Sequence, residues 1–433
     1  MIRYLPIILS ALLTGAHFMR DGEYGLMTVA LTIPFLLFKK KLWALRIVQL
    51  SLLAATAVWF GSLIEFITIR QAMSMPYTRL TVIIGSVLLF HALTALLLES
   101  KYFIERYPDS KGKTLPIVAA FVLTALTVGF VHLKVGLTML IVERFFPGWG
   151  WVEMLAISLY AAFIMEKMLD PSQSALWRKR IWTAFTIVFF GQLLLGLAGI
   201  DRFLMTGELH LPIPAVIVAG PLFRGEGFFM LILFLSTVVL IGPAWCSHIC
   251  YIGAWDAVAS GKRRVPKVLP KWRKSVRWII LALVISVTIL LRVMNVPIMM
   301  AAIAAGVFGL TGVALMVFWS RKMGSMTHCT TYCPIGPLAT GLGKINPFRI
   351  RINNDCDECG KCRLRCRFDA LNKEDIARRQ PDLSCTLCGD CITSCPHNAL
   401  EYRFFKMKPQ NARALFLVLV ISIHACTMAF ARI

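Results

Sequence analysis

The sequence predicts an all-α polytopic membrane bundle of about eleven transmembrane helices, with one small α+β module inserted before the last of them. Three observations carry this expectation. Of 433 residues, 58% are hydrophobic and only 16% charged, whereas soluble domains are nearer half apolar and a quarter charged. Apolar runs long enough to cross a bilayer recur along the whole chain. Eight of the thirteen cysteines crowd into one stretch, 356–395, between the last two of those runs.

A mean hydropathy of +0.70 excludes an ordinary soluble globule, which would have to expose large apolar patches. Spans are expected near 3–19, 22–38, 43–66, 79–99, 115–133, 150–166, 180–199, 226–243, 277–294, 298–319 and 412–430. The first, second and sixth are short for a bilayer. The opening MIRYLPIILSALL has the charge and apolar run of a signal peptide and is read as an uncleaved first helix.

The net charge of +23 would suggest nucleic acid in a soluble protein, but no nucleic-acid module is present and lipid headgroups suit the charges better. Lysines and arginines gather in short loops. These are Lys39, Lys40 and Lys41; Lys101, Arg106, Lys111 and Lys113; Lys167, Arg178, Lys179 and Arg180; and Lys262, Arg263, Arg264, Lys267, Lys271, Arg273, Lys274 and Arg277. Counting spans puts all of these loops on one face, the cytoplasmic face of an inner membrane by the positive-inside rule. The cysteine-rich segment 321–411 falls on that face too, in the reducing compartment that free thiols require.

Within it, Cys356, Cys359, Cys362 and Cys366 form one C-x2-C-x2-C-x3-C run, and Cys385, Cys388, Cys391 and Cys395, followed by Pro396, form a second. Three cysteines of such a run wrap one [4Fe–4S] cubane while the fourth reaches the other cluster. Cys356, Cys359, Cys362 and Cys395 are therefore expected to bind one cluster, and Cys385, Cys388, Cys391 and Cys366 the second. Zinc sites show paired spacings instead. FRIRIN before the first run and NALEYRFF after the second can pair as the short strands of a two-cluster ferredoxin-like module. Arg367 stands where such a run usually has proline, a change that loosens the turn or tunes the potential without removing a ligand.

Two further pairs, Cys246 and Cys250 in WCSHICYIG and Cys329 and Cys333 in HCTTYCPIG, have C-x3-C spacing at the ends of expected spans. A separation of four puts both thiols on one face of a helical turn. Four thiolates suffice for a third cluster or another metal ion, or for two thiol–disulfide pairs. Two inert buried pairs remain the plain alternative. Cys426 stands alone.

Residues 180–400 resemble the NapH-type membrane iron–sulfur proteins of periplasmic nitrate reduction and the C-terminal part of NosR-type proteins. The resemblance rests on the spans, the two C-x3-C motifs and the two cysteine runs. Cys329, Cys333 and Pro334 fit the family motif in full, whereas Tyr251 replaces proline after Cys250. CcoG/RdxA-type proteins of cytochrome oxidase assembly share similar elements. The resemblance implies quinol oxidation, or quinone-linked electron transfer to a redox partner within a multi-subunit complex. It leaves residues 1–170, with six expected spans, unassigned. The expected domains are thus 1–170, a four-span core 171–345, the ferredoxin-like module 346–408 and a C-terminal helix 409–433.

Other signals are weaker. His17, His91, His132 and His424 lie in or near spans and are read as intramembrane hydrogen-bonders in preference to ligands of haem b. Glu65 and Glu153 are intramembrane or interfacial acids, suited to proton transfer in quinone chemistry or to helix–helix hydrogen bonding. On the opposite face, the Pro/Gly-rich loop 200–226 carries Asp201, Arg202, Glu208, His210 and Arg224, a setting for a quinone headgroup or simply a packed loop. Two other functions fit these features. One is a metal (copper) reductase or assembly factor using the paired cysteines; the other is a transporter with a regulatory ferredoxin domain.

Overall fold

The computed structural model describes residues 2–109, 112–204 and 211–430. Lys111, Glu208 and His210 fall outside the described residues. The chain divides into two compact units, 1–163 and 164–433.

Among the described residues, nine helices are long and apolar enough to cross a membrane. The multi-pass character stands, and the difference from about eleven lies in two segments. Tyr24–Lys39 is a shorter apolar helix. It is α-helical only to Thr32 and continues as a tighter 3-10 helix from Ile33. Pro34 sits at that change of winding, where its missing N–H and fixed φ disfavour a continued α-helix. The other segment, Gly150–Met168, is a 19-residue helix, but it carries Glu153, Glu166 and Lys167.

In the first unit, Leu42–Ala72 and Thr78–Leu97 form a long hairpin. One end of it closes over a core of Leu45, Val48, Leu52, Ala95 and Leu98 against Phe103 and Tyr107. The Tyr107 hydroxyl donates to the Leu37 carbonyl at 3.0 Å, so the one polar atom of that ring is satisfied where water is absent.

The second unit is built on Pro171–Leu197, Phe229–His248, Arg273–Val293, Ile298–Met323 and Pro409–Phe430. Their outer surfaces are apolar: Val293 and Leu310 are each 71% exposed, a cost in water and none in lipid. Part of the Pro/Gly-rich loop 200–226 forms a short helix, Val216–Arg224, with Pro221 inside it. Arg292 donates to the Leu222 carbonyl at 3.2 Å.

The cysteine-rich segment folds around a two-stranded antiparallel sheet, β1 (Arg349–Ile352) and β2 (Leu400–Arg403), with Ile350 opposite Tyr402. These are the two strands expected from FRIRIN and NALEYRFF. Alternation puts Ile350, Ile352, Leu400 and Tyr402 on the buried face. The module is fastened to the helices by a buried ion pair, Arg273 to Asp369 at 2.9 Å, with side chains 2% and 7% exposed, and by Lys274 to Asp382 at 2.8 Å. Arg367 adds a third attachment. Its guanidinium donates to the Ser260 and Gly324 carbonyls, both at 2.6 Å, and to that of Arg263 at 3.1 Å. The residue expected to loosen the cysteine turn instead ties it to two helix ends.

Candidate iron–sulfur sites

The two cysteine runs fold as copies of one another, 29 positions apart. Within each C-x2-C turn the third residue is forced to positive φ: Glu358 at 60° and Leu387 at 54°, followed by Gly360 at 71° and Gly389 at 78°. Non-glycine residues there are strained, and the strain turns the flanking side chains inward. A one-turn 3-10 helix follows in each copy, Arg363–Arg365 and Ile392–Ser394. Beyond the fourth cysteine, Asp369 and Asn398 return to positive φ, at 50° and 51°. The next N–H then donates to the cysteine sulfur, Ala370 to Cys366 and Ala399 to Cys395, each at 3.3 Å.

Sulfur neighbourhoods cross between the runs. Cys366 lines one small cavity together with Cys385, Cys388 and Cys391. The Cys391 thiol is pushed well above its ordinary range by burial and then by Cys388, Cys385, Cys366 and Cys362. Burial pushes Cys362 up to about 11, with Cys356 and Cys395 as its thiol neighbours. Cys359 is exposed, whereas Cys362 and Cys391 are buried.

The C-x3-C pairs are a second duplication, 83 positions apart. Both turns close with a wide i to i−5 bond, Cys250 N–H to the Trp245 carbonyl at 3.0 Å and Cys333 N–H to that of His328 at 2.9 Å. Such π-type turns are rare and often mark functional sites. Cys250 and Cys333 then take matching extended conformations, ψ 114° and 121°, Cys250 capping the helix Tyr251–Gly261 and Cys333 ending the turn His328–Tyr332. In the second copy the Gly336 N–H donates to the Cys333 carbonyl at 3.2 Å. A Cβ on Gly253 would lie 2.9 Å from the Cys246 carbonyl, and one on Gly336 would lie 2.9 Å from that of Cys329. The sequence reading missed these glycines; their signal is the repeated C-x3-C-x-I-G.

All four sulfurs come together. Cys329 is pushed well up by burial, then by the Asp256 carboxylate, then by Cys333, Cys250 and Cys246. The fully buried Asp256, itself raised to about 6 by burial, accepts the Cys329 N–H at 3.0 Å. Thiolates are the metal-binding form, and a buried group of them is stable only beside a positive centre. Among the described residues, no group of His, Cys, Asp or Glu converges tightly enough for a single metal ion. Cys246 and Cys333 also pack in one buried apolar cluster.

One helix, Pro171–Leu197, holds the first of these turns. Arg178, Trp182 and Thr186, spaced i, i+4, i+8 along one face, donate to the carbonyls of Ser247 (2.8 Å), Cys250 (2.7 Å) and Tyr251 (2.9 Å). Trp182, Ala254, Met326 and Phe368 form one buried apolar cluster, and both Cys329 and Cys388 pack against it.

The histidines have protein partners. His91 Nε2 lies 2.9 Å from Thr14 Oγ1, and its Nδ1 lies 2.9 Å from the Val87 carbonyl. His17 meets Ser62 and Asp21, and the Trp59 ring stands between His17 and His91. His132 packs edge-on against Trp151, and His424 Nδ1 lies 3.1 Å from the His248 carbonyl. Glu153 accepts the Val142 N–H at 2.7 Å, a structural role, while Glu65 is exposed.

Comparison with known proteins agrees with this chemistry. A family model described as a 4Fe–4S binding domain matches residues 216–268, a stretch that contains Cys246 and Cys250 and ends before the other cysteines. YccM of Escherichia coli (strain K12), named for a proposed role in electron transport, is 26% identical over 247 residues, 51% of this chain and 64% of YccM. The chain thus spans a little under two thirds of that relative. The uncharacterized protein MJ0750 of Methanocaldococcus jannaschii is 21% identical over 237 residues, 51% of this chain and 88% of MJ0750. No solved structure matches the chain. The chain carries a 4Fe–4S-type domain match at 216–268 within a multi-helix membrane architecture.

Proposed function

We propose that this chain is a membrane electron-transfer protein linking a quinone/quinol pool to a redox partner through three iron–sulfur centres on the cytoplasmic side of the inner membrane. Cys356, Cys359, Cys362 and Cys395 would hold one [4Fe–4S] cluster and Cys385, Cys388, Cys391 and Cys366 the second. Cys246, Cys250, Cys329 and Cys333 would hold a third centre at the membrane end of the core 171–345. Such clusters supply one-electron transfer when bound.

The observation that carries this reading is the shared apolar cluster of Trp182, Ala254, Met326 and Phe368, with Cys329 and Cys388 packed on it. It packs one C-x3-C cysteine and one ferredoxin-type cysteine against the same few buried apolar side chains. Two buried ligand sets this close suit a relay better than independent structural sites. YccM's proposed role in electron transport points the same way. Exposed Cys359 supports a first cluster near the surface, within reach of a partner. The segment around Val216–Arg224 would offer a quinone headgroup a mostly apolar setting. Residues 1–170 would be a fused membrane subunit.

The test is metal and sulfide analysis of anaerobically purified protein, followed by EPR after addition of a quinol analogue. About twelve irons per chain, acid-labile sulfide and clusters reduced by the quinol are expected. Copper bound at the C-x3-C thiols with about eight irons would replace this reading with metal handling. Fully loaded clusters that no quinol reduces, with a partner present, would remove the quinone from it.

A further inference from the structure

Arg178 was legible only as one more cytoplasmic-side charge, yet its side chain is 3% exposed. Its guanidinium is bidentate on Asp390, with Nε 3.0 Å from Oδ1 and Nη2 2.7 Å from Oδ2. The remaining nitrogen, Nη1, donates to the Ser247 carbonyl at 2.8 Å. Asp390 lies between Cys388 and Cys391, and Ser247 lies between Cys246 and Cys250. One buried cation therefore touches the loops of two cysteine groups at once. The Trp182 ring, which donates to the Cys250 carbonyl at 2.7 Å, stacks 5.3 Å from the same guanidinium. A parallel link, Ser247 Oγ donating to the Thr386 carbonyl at 3.0 Å, holds the two loops together beside it.

A positive-inside lysine or arginine needs only to reach water or headgroups. It does not need burial, a planar fork on one carboxylate and a third bond to a ligand loop. Arg is the residue that such a fixed, desolvated, three-way contact selects.

We propose that Arg178, paired with Asp390, is a positioning residue that fixes the C-x3-C loop against the Cys385–Cys391 loop and sets the reduction potential of the centre held by Cys366, Cys385, Cys388 and Cys391. This rests on the iron–sulfur reading above. Cluster potentials follow local net charge, hydrogen bonding to sulfur and exposure. Reduction adds negative charge, so a nearby buried cation favours the reduced form and a nearby buried anion opposes it. Burial keeps both effects from being screened. The pair thus gives signed expectations that a purely structural contact does not.

The experiment is an EPR-monitored redox titration of the full-length protein in detergent, with iron and sulfide counted for each variant. Arg178→Met should lower the midpoint of that cluster, because it removes the cation and leaves Asp390 unpaired. Asp390→Asn should raise it, and the double variant should return towards the wild type. Arg178→Lys keeps the charge without the fork and should shift the midpoint less than Arg178→Met. If Arg178→Met does not assemble, Asp390→Asn and Arg178→Lys carry the test alone. Loaded clusters whose midpoints stay fixed, or move in one direction in every variant, would overturn the proposal while leaving the iron–sulfur reading intact. Wild-type protein without iron and sulfide at these cysteines would overturn that reading itself.

Discussion

Gly336→Ala is a one-carbon change that separates a working C-x3-C centre from a pair of packed cysteines. A methyl at Gly336 would sit 2.9 Å from the Cys329 carbonyl oxygen, where ordinary contact begins at 3.4 Å, so something must give by roughly 0.5 Å. The obstructing atom is backbone, not the far end of a flexible side chain. Overpacking of this kind costs about 1–3 kcal/mol, which biases the cradle against its ligand geometry by roughly 5- to 150-fold. The strain falls on the carbonyl of Cys329 and on the N–H that Gly336 donates to the Cys333 carbonyl, so the loss should appear in this centre first. Iron in anaerobically purified protein should drop from about twelve to about eight per chain, with the EPR signals of the two ferredoxin-type clusters kept. Gly253→Ala should act alike, since its methyl would also strike the Trp182 ring at 2.6 Å. Gly306→Ala, with open space around it, should leave iron unchanged and add about 0.5–1 kcal/mol of helix stability. Full iron and unaltered spectra in Gly336→Ala would refute the reasoning, because no ligand sphere could then depend on that close approach.

Three further outcomes follow from the attachment of the module. Arg273→Met leaves Asp369 buried without its cation and should destabilise the module by about 3–5 kcal/mol, read as denaturant-induced loss of cluster absorbance; adding Asp369→Leu should recover a large part of that loss, and no recovery would mean the ion pair is not what holds the module. Oxidant titration should remove iron in two phases, because Cys359 is exposed while Cys391 is buried; Cys359→Ser should abolish the fast phase, and a single phase in the parent protein would contradict the assignment of an outer and an inner cluster. Arg367→Pro should keep the iron of both ferredoxin-type clusters but lose the bonds to Ser260, Gly324 and Arg263, so limited proteolysis near 260–263 and 324 should quicken, and an unchanged cleavage pattern would deny Arg367 its docking role.

What could be read in the sequence was whatever spacing alone dictates. Eight cysteines at fixed intervals imply two exchanged ligand sets because only that geometry closes around two cubanes. Alternation in FRIRIN and NALEYRFF implies strands, and apolar length implies spans. The illegible features depend on residues distant in the chain. Convergence of Cys246 and Cys250 with Cys329 and Cys333 joins segments 83 positions apart, and no local pattern encodes it. Arg178 looked like an ordinary basic-loop residue because charge counts do not reveal burial. The histidines invited a haem comparison that their hydrogen bonds to Thr14, Ser62 and backbone carbonyls make unnecessary. The segment 22–38 resembled a span by composition, but Pro34 changes its winding and shortens it.

The two duplications differ in what they leave unmatched. In the 29-residue repeat both halves carry the same positive-φ pattern and the same N–H to sulfur bond, so geometry treats the two clusters nearly alike. In the 83-residue repeat the helix after Cys250 presents Asp256, whereas Ala339 holds the matching position after Cys333. Asp256 binds the Cys329 N–H, while Trp182 binds the Cys250 carbonyl and packs towards Cys388. Asp256 therefore serves the second copy and Trp182 the first, and neither has an equivalent in the other. A symmetric cradle needs neither to hold a metal centre. Each copy is thus fixed by a group of its own, and for the first copy that hold comes from the single helix face of Arg178, Trp182 and Thr186.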